Sequence, residues 1–257
     1  MKNNFTYKKS LGQNFLINEK IANRIVDLLP LENENIIEIG CGDGMLTKKI
    51  ITRNPKKLIV IEIDQRCIEN VQKKLQNDRV IFIQKDALDL NISDFDFDKK
   101  PIIISNLPYS VGTRIYVNLL KQKPFINQMT LMFQKEVGKR IVAQKSTEEY
   151  GLLSVVSQIF THSKIEFNVN AGNFFPVPKV DSVVMSFIPN EYNIPNETFE
   201  MLLNCSKSFF SKRRKILRSQ LKNPEMIAIF GQKRIEELTP SEILKLVLIE
   251  ISLLPIN

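Results

Sequence analysis

The stretch Ile36-Ile37-Glu38-Ile39-Gly40-Cys41-Gly42-Asp43-Gly44-Met45-Leu46-Thr47 decides how the rest of this chain is interpreted. Its short apolar run predicts a buried strand, and the residues after the glycines, through Ile51, predict a helix. The glycines between them allow a sharp turn and a close approach of the backbone to a ligand. A Gly-x-Gly pair is weak on its own, but the order of strand, turn and helix favours a nucleoside-binding α/β fold.

Acidic residues follow the next two predicted strands. Residues 58–64 predict the second strand, and Glu62 lies about 20 residues after the glycines, where an acid binds ribose hydroxyls in such folds. A solvated strand end is the alternative interpretation of Glu62. Residues 80–83 predict a third strand, and Asp86 beyond it is placed to accept a hydrogen bond from an adenine amino group.

The fourth strand ends at Asn106-Leu107-Pro108-Tyr109, because proline has no N–H with which to continue a ladder. The side-chain oxygen of Asn106 and the carbonyl of Leu107 can accept hydrogen bonds, and the Tyr109 ring can stack on a flat heterocycle. Two acceptors beside an aromatic ring suit the exocyclic amino group of a planar base. An ordinary strand-end turn with a core tyrosine is the alternative.

The repeated strand–helix pattern from residue 36 to residue 109 predicts a parallel sheet with its ligand at the carboxyl edge. Neither a P-loop lysine nor an arginine placed for a 2′-phosphate is present, so we expect a nucleoside without a long phosphate tail. S-adenosylmethionine (SAM) fits that description. Later strands are predicted at residues 129–133 and 183–187. The loop at residues 174–182, stiffened by two prolines, presents phenylalanines that either face Tyr109 across a base pocket or pack in the core.

Composition narrows the partner and the compartment. The chain has 257 residues, a net charge of +8 and a pI of about 9.3, which favours a polyanionic partner, although generic surface lysine gives the same charge. Three widely spaced cysteines and one histidine predict neither a disulfide framework nor a metal site. No apolar run reaches about 18 residues and no secretory signal is recognised, so we expect a cytoplasmic protein.

The two ends of the chain carry the remaining patterns. Residues 1–18 are basic but contain large apolar side chains, so we expect them to pack across a site. Asn18 is predicted to be the N-cap of the helix that follows. Beyond a polar linker at residues 189–195 the pattern is helical, with Ser241 predicted as an N-cap. Residues 212–218 contain five cations in seven positions, which favours phosphate contact over a merely solvated face.

Taken together, the motifs resemble those of the small-subunit ribosomal RNA adenine dimethyltransferases. The matching stretches are Lys9-Ser10-Leu11-Gly12-Gln13-Asn14-Phe15-Leu16, Glu38-Ile39-Gly40-Cys41-Gly42-Asp43-Gly44, Asn106-Leu107-Pro108-Tyr109, Tyr150-Gly151 with Leu153-Ser154-Val155, residues 174–182 and Lys212-Arg213-Arg214-Lys215. Each stretch is weak alone, and jointly they are highly specific. The end of the chain matches only in its helical character.

The resemblance implies a Rossmann-like, SAM-dependent methyltransferase domain of α/β class at residues 1–190, with residues 1–18 over the site. It also implies a small all-helical, RNA-contacting domain at residues 191–257. The implied activity is dimethylation of two adjacent adenines in a hairpin near the 3′ end of small-subunit rRNA. The implied setting is ribosome biogenesis, with a monomer acting on the immature 30S subunit.

The resemblance also assigns residues to roles. The expected SAM contacts are Asn14, Leu16, Gly40, Gly42, Glu62, Asp86 and Asn106. The expected catalytic residues are Asn106, Leu107, Pro108, Tyr109 and Phe174. The expected RNA contacts are Lys8, Lys9, Lys179, Lys212, Arg213, Arg214, Lys215 and Arg218. Neither a metal nor a membrane is expected.

Two departures and three alternatives accompany this interpretation. Many relatives have proline where Cys41 stands, and residues 110–112 after Tyr109 are less familiar, so the base pocket is less defined than the cofactor pocket. The nearest alternative is an erythromycin-resistance-type enzyme that methylates one adenine of large-subunit rRNA. The others are a DNA adenine methyltransferase and an RNA-binding assembly factor for which methylation is secondary.

Overall fold

The computed structural model describes residues 13–75, 77 and 79–252 of the chain. Its strands are β1 (Phe15–Leu16), β2 (Asn35–Ile39), β3 (Lys57–Glu62), β4 (Val80–Gln84), β5 (Ile102–Asn106), β6 (Gln128–Gln134), β7 (Thr161–Val169), β8 (Phe174–Phe175) and β9 (Ser182–Pro189). Its α-helices are α1 (Glu19–Val26), α2 (Met45–Ile51), α3 (Gln65–Leu75), α4 (Gly112–Lys121), α5 (Lys135–Val142), α6 (Leu152–Phe160), α7 (Asn196–Ser211), α8 (Pro224–Phe230) and α9 (Pro240–Ser252). Single turns of 3-10 helix occupy Ala87–Asp89, Ile92–Asp94, Lys123–Phe125, Ala171–Asn173, Leu217–Ser219 and Ile235–Glu237.

The main sheet has seven strands in the order β4-β3-β2-β5-β6-β9-β7. The five neighbouring strands β4, β3, β2, β5 and β6 pair in parallel, and β9 pairs antiparallel with β6. The strand order reverses between β2 and β5, because β3 and β4 lie on one side of β2 while β5 and β6 lie on the other. A crevice at the carboxyl ends of the strands is expected at such a reversal. The predicted α/β class is confirmed.

The central strands form the core because their β-branched side chains are buried on both faces of the sheet. Ile36, Ile37, Ile102, Ile103 and Ile104 are each completely buried. Covering both faces of a parallel sheet in this way produces a continuous apolar run rather than an alternating one. The triple isoleucine that precedes the Asn-Leu-Pro-Tyr motif therefore fixes the end of β5 firmly in the sheet.

A small two-stranded sheet joins distant parts of the sequence. Strand β1 pairs antiparallel with β8, with Phe15 opposite Phe175 and Leu16 opposite Phe174. The N–H of Ile17 also donates to the carbonyl of Asn173 at 2.9 Å. This pairing attaches the segment that follows residue 12 to the loop that precedes β9, a contact that the sequence patterns did not predict.

Helix capping gave one correct prediction and one wrong one. The Asn18 side chain accepts hydrogen bonds from the N–H groups of Lys20 and Ile21, at 2.9 and 3.3 Å, and caps α1 as predicted. Ser241 does not cap α9. The cap is Thr239, whose hydroxyl accepts from the N–H of Glu242 while the Glu242 carboxylate accepts from the N–H of Thr239. This reciprocal pair outcompetes a serine that lies two residues later, inside the helix.

The contacts divide the chain into two compact units, Met1–Gly138 with Lys164–Pro189 and Lys139–Ser163 with Asn190–Asn257. The sequence placed residues 139–163 in the first domain, whereas their contacts group them with the C-terminal helices. The reason is that α6 is almost entirely buried and packs against α7 and α9. Within this unit the rings of Phe160 and Phe199 lie 5.1 Å apart.

Two structural features are absent from residues 13–75, 77 and 79–252. No helix in those ranges is long and apolar enough to cross a bilayer. The same ranges contain no group of three histidine, cysteine or acidic side chains arranged to hold a metal ion.

Candidate active site

The crevice between β2 and β5 brings together most of the residues that the sequence singled out. Its walls include the predicted cofactor contacts Asn14, Leu16, Gly40, Gly42, Glu62 and Asn106. The predicted target-base residues Leu107, Pro108 and Tyr109 line the same crevice. Residues from four separate parts of the sequence therefore surround one space at the carboxyl edge of the sheet.

The glycine turn needs glycine for two physical reasons. Gly40, Gly42 and Gly44 have φ angles of +76°, +56° and +90°, a region that L-residues with a Cβ adopt only at a cost. At Gly42 a Cβ would also lie 2.6 Å from Cδ1 of the Phe15 ring, which packs directly on the turn. At Gly40 a Cβ would meet nothing within 4 Å, so this glycine faces open space in the crevice.

Glu62 braces the glycine turn and lines the crevice at the same time. Its Oε2 accepts a hydrogen bond from the N–H of Gly42 at 3.3 Å, and its Oε1 accepts from the N–H of Asp64 at 2.9 Å. The Cys41 thiol also donates to Oε2 at 3.8 Å. Burial raises the pKa of Glu62, and the backbone donors oppose that shift. A carboxylate has further lone pairs, so these bonds leave capacity to accept from a ligand hydroxyl.

Glu38 is a functional candidate that the sequence patterns missed. It is completely buried in β2 and lines the crevice, and neither carboxylate oxygen makes a hydrogen bond of good geometry with the described residues. Thr47 lies close enough to oppose the effect of burial on the Glu38 pKa without forming such a bond. Burial raises its pKa to about 8. A buried carboxyl without partners is costly unless a ligand or a water molecule supplies them. The signal was present in the sequence, because Glu38 interrupts an otherwise continuous isoleucine strand.

The crevice fits a nucleoside cofactor with a charged amino-acid end. Gly40 leaves room for a close approach, Glu62 offers acceptors for hydroxyls, and Glu38 offers an unsatisfied carboxyl for an ammonium group. SAM combines these three features: a ribose, a compact shape without phosphates, and an ammonium group. The residues present therefore fit SAM as their ligand.

Two hydrogen bonds position Asn106 at the opposite wall of the crevice. Its side-chain nitrogen donates to the backbone carbonyl of Asn14 at 3.1 Å, which leaves the side-chain oxygen to accept from a ligand. The neighbouring Ser105 hydroxyl donates to the Ile39 carbonyl at 2.6 Å, just before the glycine turn. Since the β2–β5 ladder ends at Glu38 and Ile104, this bond ties the two strand ends together where the backbone pairing stops.

Tyr109 stands beside Asn106 with its hydroxyl fixed. The hydroxyl is hydrogen-bonded to Oγ of Ser182 at 2.5 Å. Burial raises the pKa of Tyr109, so the phenol is neutral at physiological pH. The ring is half-buried and borders the crevice, which is the position that stacking on a bound base requires.

Two of the predicted site residues do not line the crevice, Phe174 and Asp86. Phe174 is completely buried in the core with Phe15 and Leu16, so its ring has no free face for a base; on that loop Phe175 has the exposed ring, at 48%. The two-residue β8 strand decides this, because successive side chains point to opposite faces. Asp86 follows β4 but is absent from the crevice walls, and its Oδ1 caps the next turn by accepting from the N–H of Leu88 at 2.9 Å.

The predicted RNA contacts differ in how free their charges are. Lys179 in the first unit is exposed, as are Lys212, Arg214, Lys215 and Arg218 in the second. Arg213 is engaged within the second unit: it bonds to the Glu236 carboxylate at 2.6 Å and to the carbonyls of Glu148 and Thr147. Arg213 is therefore engaged in structural contacts, and we expect it to contribute less to RNA binding than the exposed Arg214. Lys8 and Lys9 lie outside the described residues.

Comparisons with known proteins place the chain among RNA methyltransferases. A family model described as "Ribosomal RNA adenine dimethylase" matches residues 4–249. The "Ribosomal RNA small subunit methyltransferase A" of Wolbachia sp. subsp. Drosophila simulans (strain wRi) is 37% identical over 242 residues, covering 90% of this chain and 89% of the relative.

Solved structures give the same result at the level of the fold. A dimethyladenosine transferase from Plasmodium falciparum superposes with a TM-score of 0.78 at 26% identity, covering 93% of this chain and 97% of the other. The 23S rRNA methyltransferase ErmE shares the fold, with a TM-score of 0.68 at 22% identity over 93% of this chain and all of the other. The motifs and the comparisons agree, and this chain belongs to the ribosomal RNA adenine dimethylase family.

Proposed function

We propose that this protein transfers methyl groups from SAM to N6 of two adjacent adenines in a hairpin near the 3′ end of small-subunit rRNA. It does so as a cytoplasmic monomer acting on the immature 30S subunit during ribosome biogenesis. One observation carries the proposal: the glycine turn with Glu62 and the Asn106–Tyr109 motif face each other across one crevice. The curated relative named for the small subunit supports that choice of substrate.

The chemical problem is that an adenine amine is a poor nucleophile, because its lone pair is delocalised into the ring. Asn106 and Leu107 solve it by accepting the two amine hydrogens at the side-chain oxygen and the backbone carbonyl. These bonds draw the nitrogen toward tetrahedral geometry and aim its lone pair across the crevice. SAM supplies an electrophilic methyl group on a sulfonium. The catalysis that these residues provide is positioning and electrostatic, and it needs no strong base.

Binding of the target base must overcome the cost of unstacking it. Removing an adenine from a helix costs a few kcal/mol, and stacking on an aromatic side chain such as Tyr109 returns about 1–3 kcal/mol. These terms are comparable, so net affinity must come from phosphate contacts. The exposed cations Lys179, Lys212, Arg214, Lys215 and Arg218 are available for them.

The second transfer differs from the first. After one methylation the amine keeps a single hydrogen, so only one of the two acceptors remains engaged. The acceptor that is released must then tolerate a methyl group beside it. We expect Asn106 to retain its hydrogen bond to the amine, because its side-chain nitrogen donates to the Asn14 carbonyl and so fixes the direction of its side-chain oxygen.

The test is methyl transfer from labelled SAM to unmethylated small subunits, with large-subunit rRNA and duplex DNA as parallel substrates. We expect label in small-subunit RNA, recovered as N6,N6-dimethyladenosine by nucleoside mass spectrometry. Label in large-subunit RNA alone would favour the alternative of an erythromycin-resistance-type enzyme. The 23S rRNA methyltransferase ErmE has the same fold as this chain. Label confined to DNA would contradict the proposal outright.

A further inference from the structure

The hydrogen bond between Tyr109 and Ser182 joins two motifs that lie far apart in the sequence. The hydroxyl oxygens are 2.5 Å apart across 73 residues, and both side chains belong to the first unit. Ser182 is completely buried, whereas Tyr109 borders the crevice. Tyr109 lies in the turn after β5, and its hydroxyl is therefore held by a residue of the sheet, Ser182 in β9.

The Ser182 hydroxyl is a fixed anchor because its backbone is held on both sides. Ser182 begins β9 and pairs with Gln134 at the end of β6. The preceding Asp181 accepts from the N–H of Lys135 through its carbonyl, and from the N–H of Ala171 through Oδ1, both at 2.9 Å. Since these bonds fix the backbone at residue 181 and at Ser182, the serine oxygen occupies one place relative to β5 and β6.

We propose that Ser182 is a positioning residue that orients the Tyr109 ring against the target adenine; this rests on the proposed function. The turn after β5 holds the Cα end of Tyr109, and Ser182 holds its hydroxyl end. With both ends held, the long axis of the ring from Cβ to the hydroxyl has one direction, which limits how far the ring can tilt relative to the base. Productive geometry for group transfer tolerates about 10–20° of error, so the ring plane affects how the amine meets the methyl group.

A purely structural role would satisfy the half-buried hydroxyl and nothing more. The two roles differ in what the loss of the bond changes. A structural bond affects stability and leaves turnover unchanged, whereas a positioning bond affects kcat. Phenylalanine at position 109 keeps the stacking surface and removes the anchor, so Tyr109→Phe and Ser182→Ala should have the same effect on turnover.

The experiment is a double-mutant cycle of Tyr109→Phe, Ser182→Ala and the pair, assayed on unmethylated small subunits. We expect each variant, including the pair, to lower kcat by about 3- to 10-fold, with KM for RNA and SAM affinity within about twofold of wild type. Equal effects in the single and double variants identify one shared interaction. An unchanged kcat, or effects that multiply, would overturn the proposal.

The control is Thr130→Val, which removes a buried hydroxyl of β6 that has no hydrogen-bond partner among the described residues. Its kcat should equal that of wild type. A second measurement is independent of the substrate: the ¹³Cζ shift of Tyr109 in tyrosine-labelled protein, assigned with Tyr109→Phe. Ser182→Ala should move that resonance and Thr130→Val should not. If the Tyr109 resonance does not shift in Ser182→Ala, the proposed anchoring by Ser182 is wrong. If it shifts but the wild-type protein does not methylate small subunits, only the proposed substrate is contradicted.

Discussion

The side-chain nitrogen of Asn106 donates to the backbone carbonyl of Asn14, 3.1 Å away and 92 residues earlier in the chain. This bond decides which way the Asn106 amide faces. With its nitrogen committed to Asn14, its oxygen is the atom left for a substrate amine. The segment before α1 thus helps to orient the proposed catalytic amide.

Asn106→Ala should abolish most methyl transfer while RNA binding persists. The variant removes an acceptor that acts on the reacting nitrogen, and loss of one such group costs about 10²- to 10³-fold in kcat. Single-turnover methylation and RNA binding by filter retention measure the two effects separately. Asn91→Ala, at an exposed asparagine outside the crevice walls, is the matched control. Equal loss of binding and transfer would contradict the role assigned to Asn106.

Gly42→Ala should destabilise the protein more than Gly40→Ala does. Both positions have positive φ, so alanine at each carries a similar backbone penalty of about 1–2 kcal/mol. At Gly42 the new methyl would also displace the Phe15 ring, which lies 2.6 Å from it, whereas at Gly40 it enters open space. Urea unfolding of both variants measures the difference. Equal destabilisation would show that Phe15 does not pack on the turn in solution.

Glu38→Gln should remove a pH dependence of stability. Burial raises the pKa of Glu38 to about 8, so the folded protein keeps this proton at pH values where the unfolded chain has lost it. The stability that Glu38 contributes is therefore complete below its ordinary pKa and is lost as the pH rises to about 8. Wild type should lose up to about 1.4 kcal/mol per pH unit relative to Glu38→Gln in that window.

The measurement for Glu38 is the free energy of unfolding of both proteins, without cofactor, across the pH window. Titrating groups that do not interact with Glu38 cancel in the difference between the two proteins, whereas the nearby carboxyls of Glu62 and Asp43 contribute to it. A difference that stays constant with pH would mean that Glu38 titrates near its ordinary value and has partners in solution.

Arg213→Gln should mainly lower the stability of the protein, whereas Arg214→Gln should mainly lower its affinity for RNA. Arg213 binds Glu236 and two carbonyls, so its loss should cost about 1–3 kcal/mol of unfolding free energy. Arg214 is exposed, so its loss should weaken RNA binding and lower the salt slope by about one. Thermal unfolding and salt-dependent binding titrations distinguish them. Reversed effects would restore Arg213 as the RNA contact.

The sequence predicted the parts of the site that follow local rules. Three features each mark the end of a strand: the glycine turn, the acid at Glu62 and the proline after β5. The ends of parallel strands meet at one edge of a sheet. Their presence around one crevice follows from the topology. Asn18 was equally readable, because an N-cap is a local feature of side chain and backbone.

The errors lie where distant contacts override local patterns. Phe174 and Phe175 are identical residues, and only the pairing of β8 with β1 decides that the first is buried and the second exposed. Arg213 sits in a run of cations, and only the fold brings Glu236 to it. Glu38 was quoted as part of the glycine motif but given no role, because only the fold shows that its carboxyl is buried at the crevice.

The central claim is that the sulfonium methyl of SAM lies between the glycine turn and Asn106. A crystal structure with bound SAM tests it most directly. We predict the ribose hydroxyls on Glu62, the ammonium group toward Glu38, and the methyl group facing the side-chain oxygen of Asn106. A structure with SAM bound elsewhere, or with Asn106 and Tyr109 remote from the methyl group, would contradict the account.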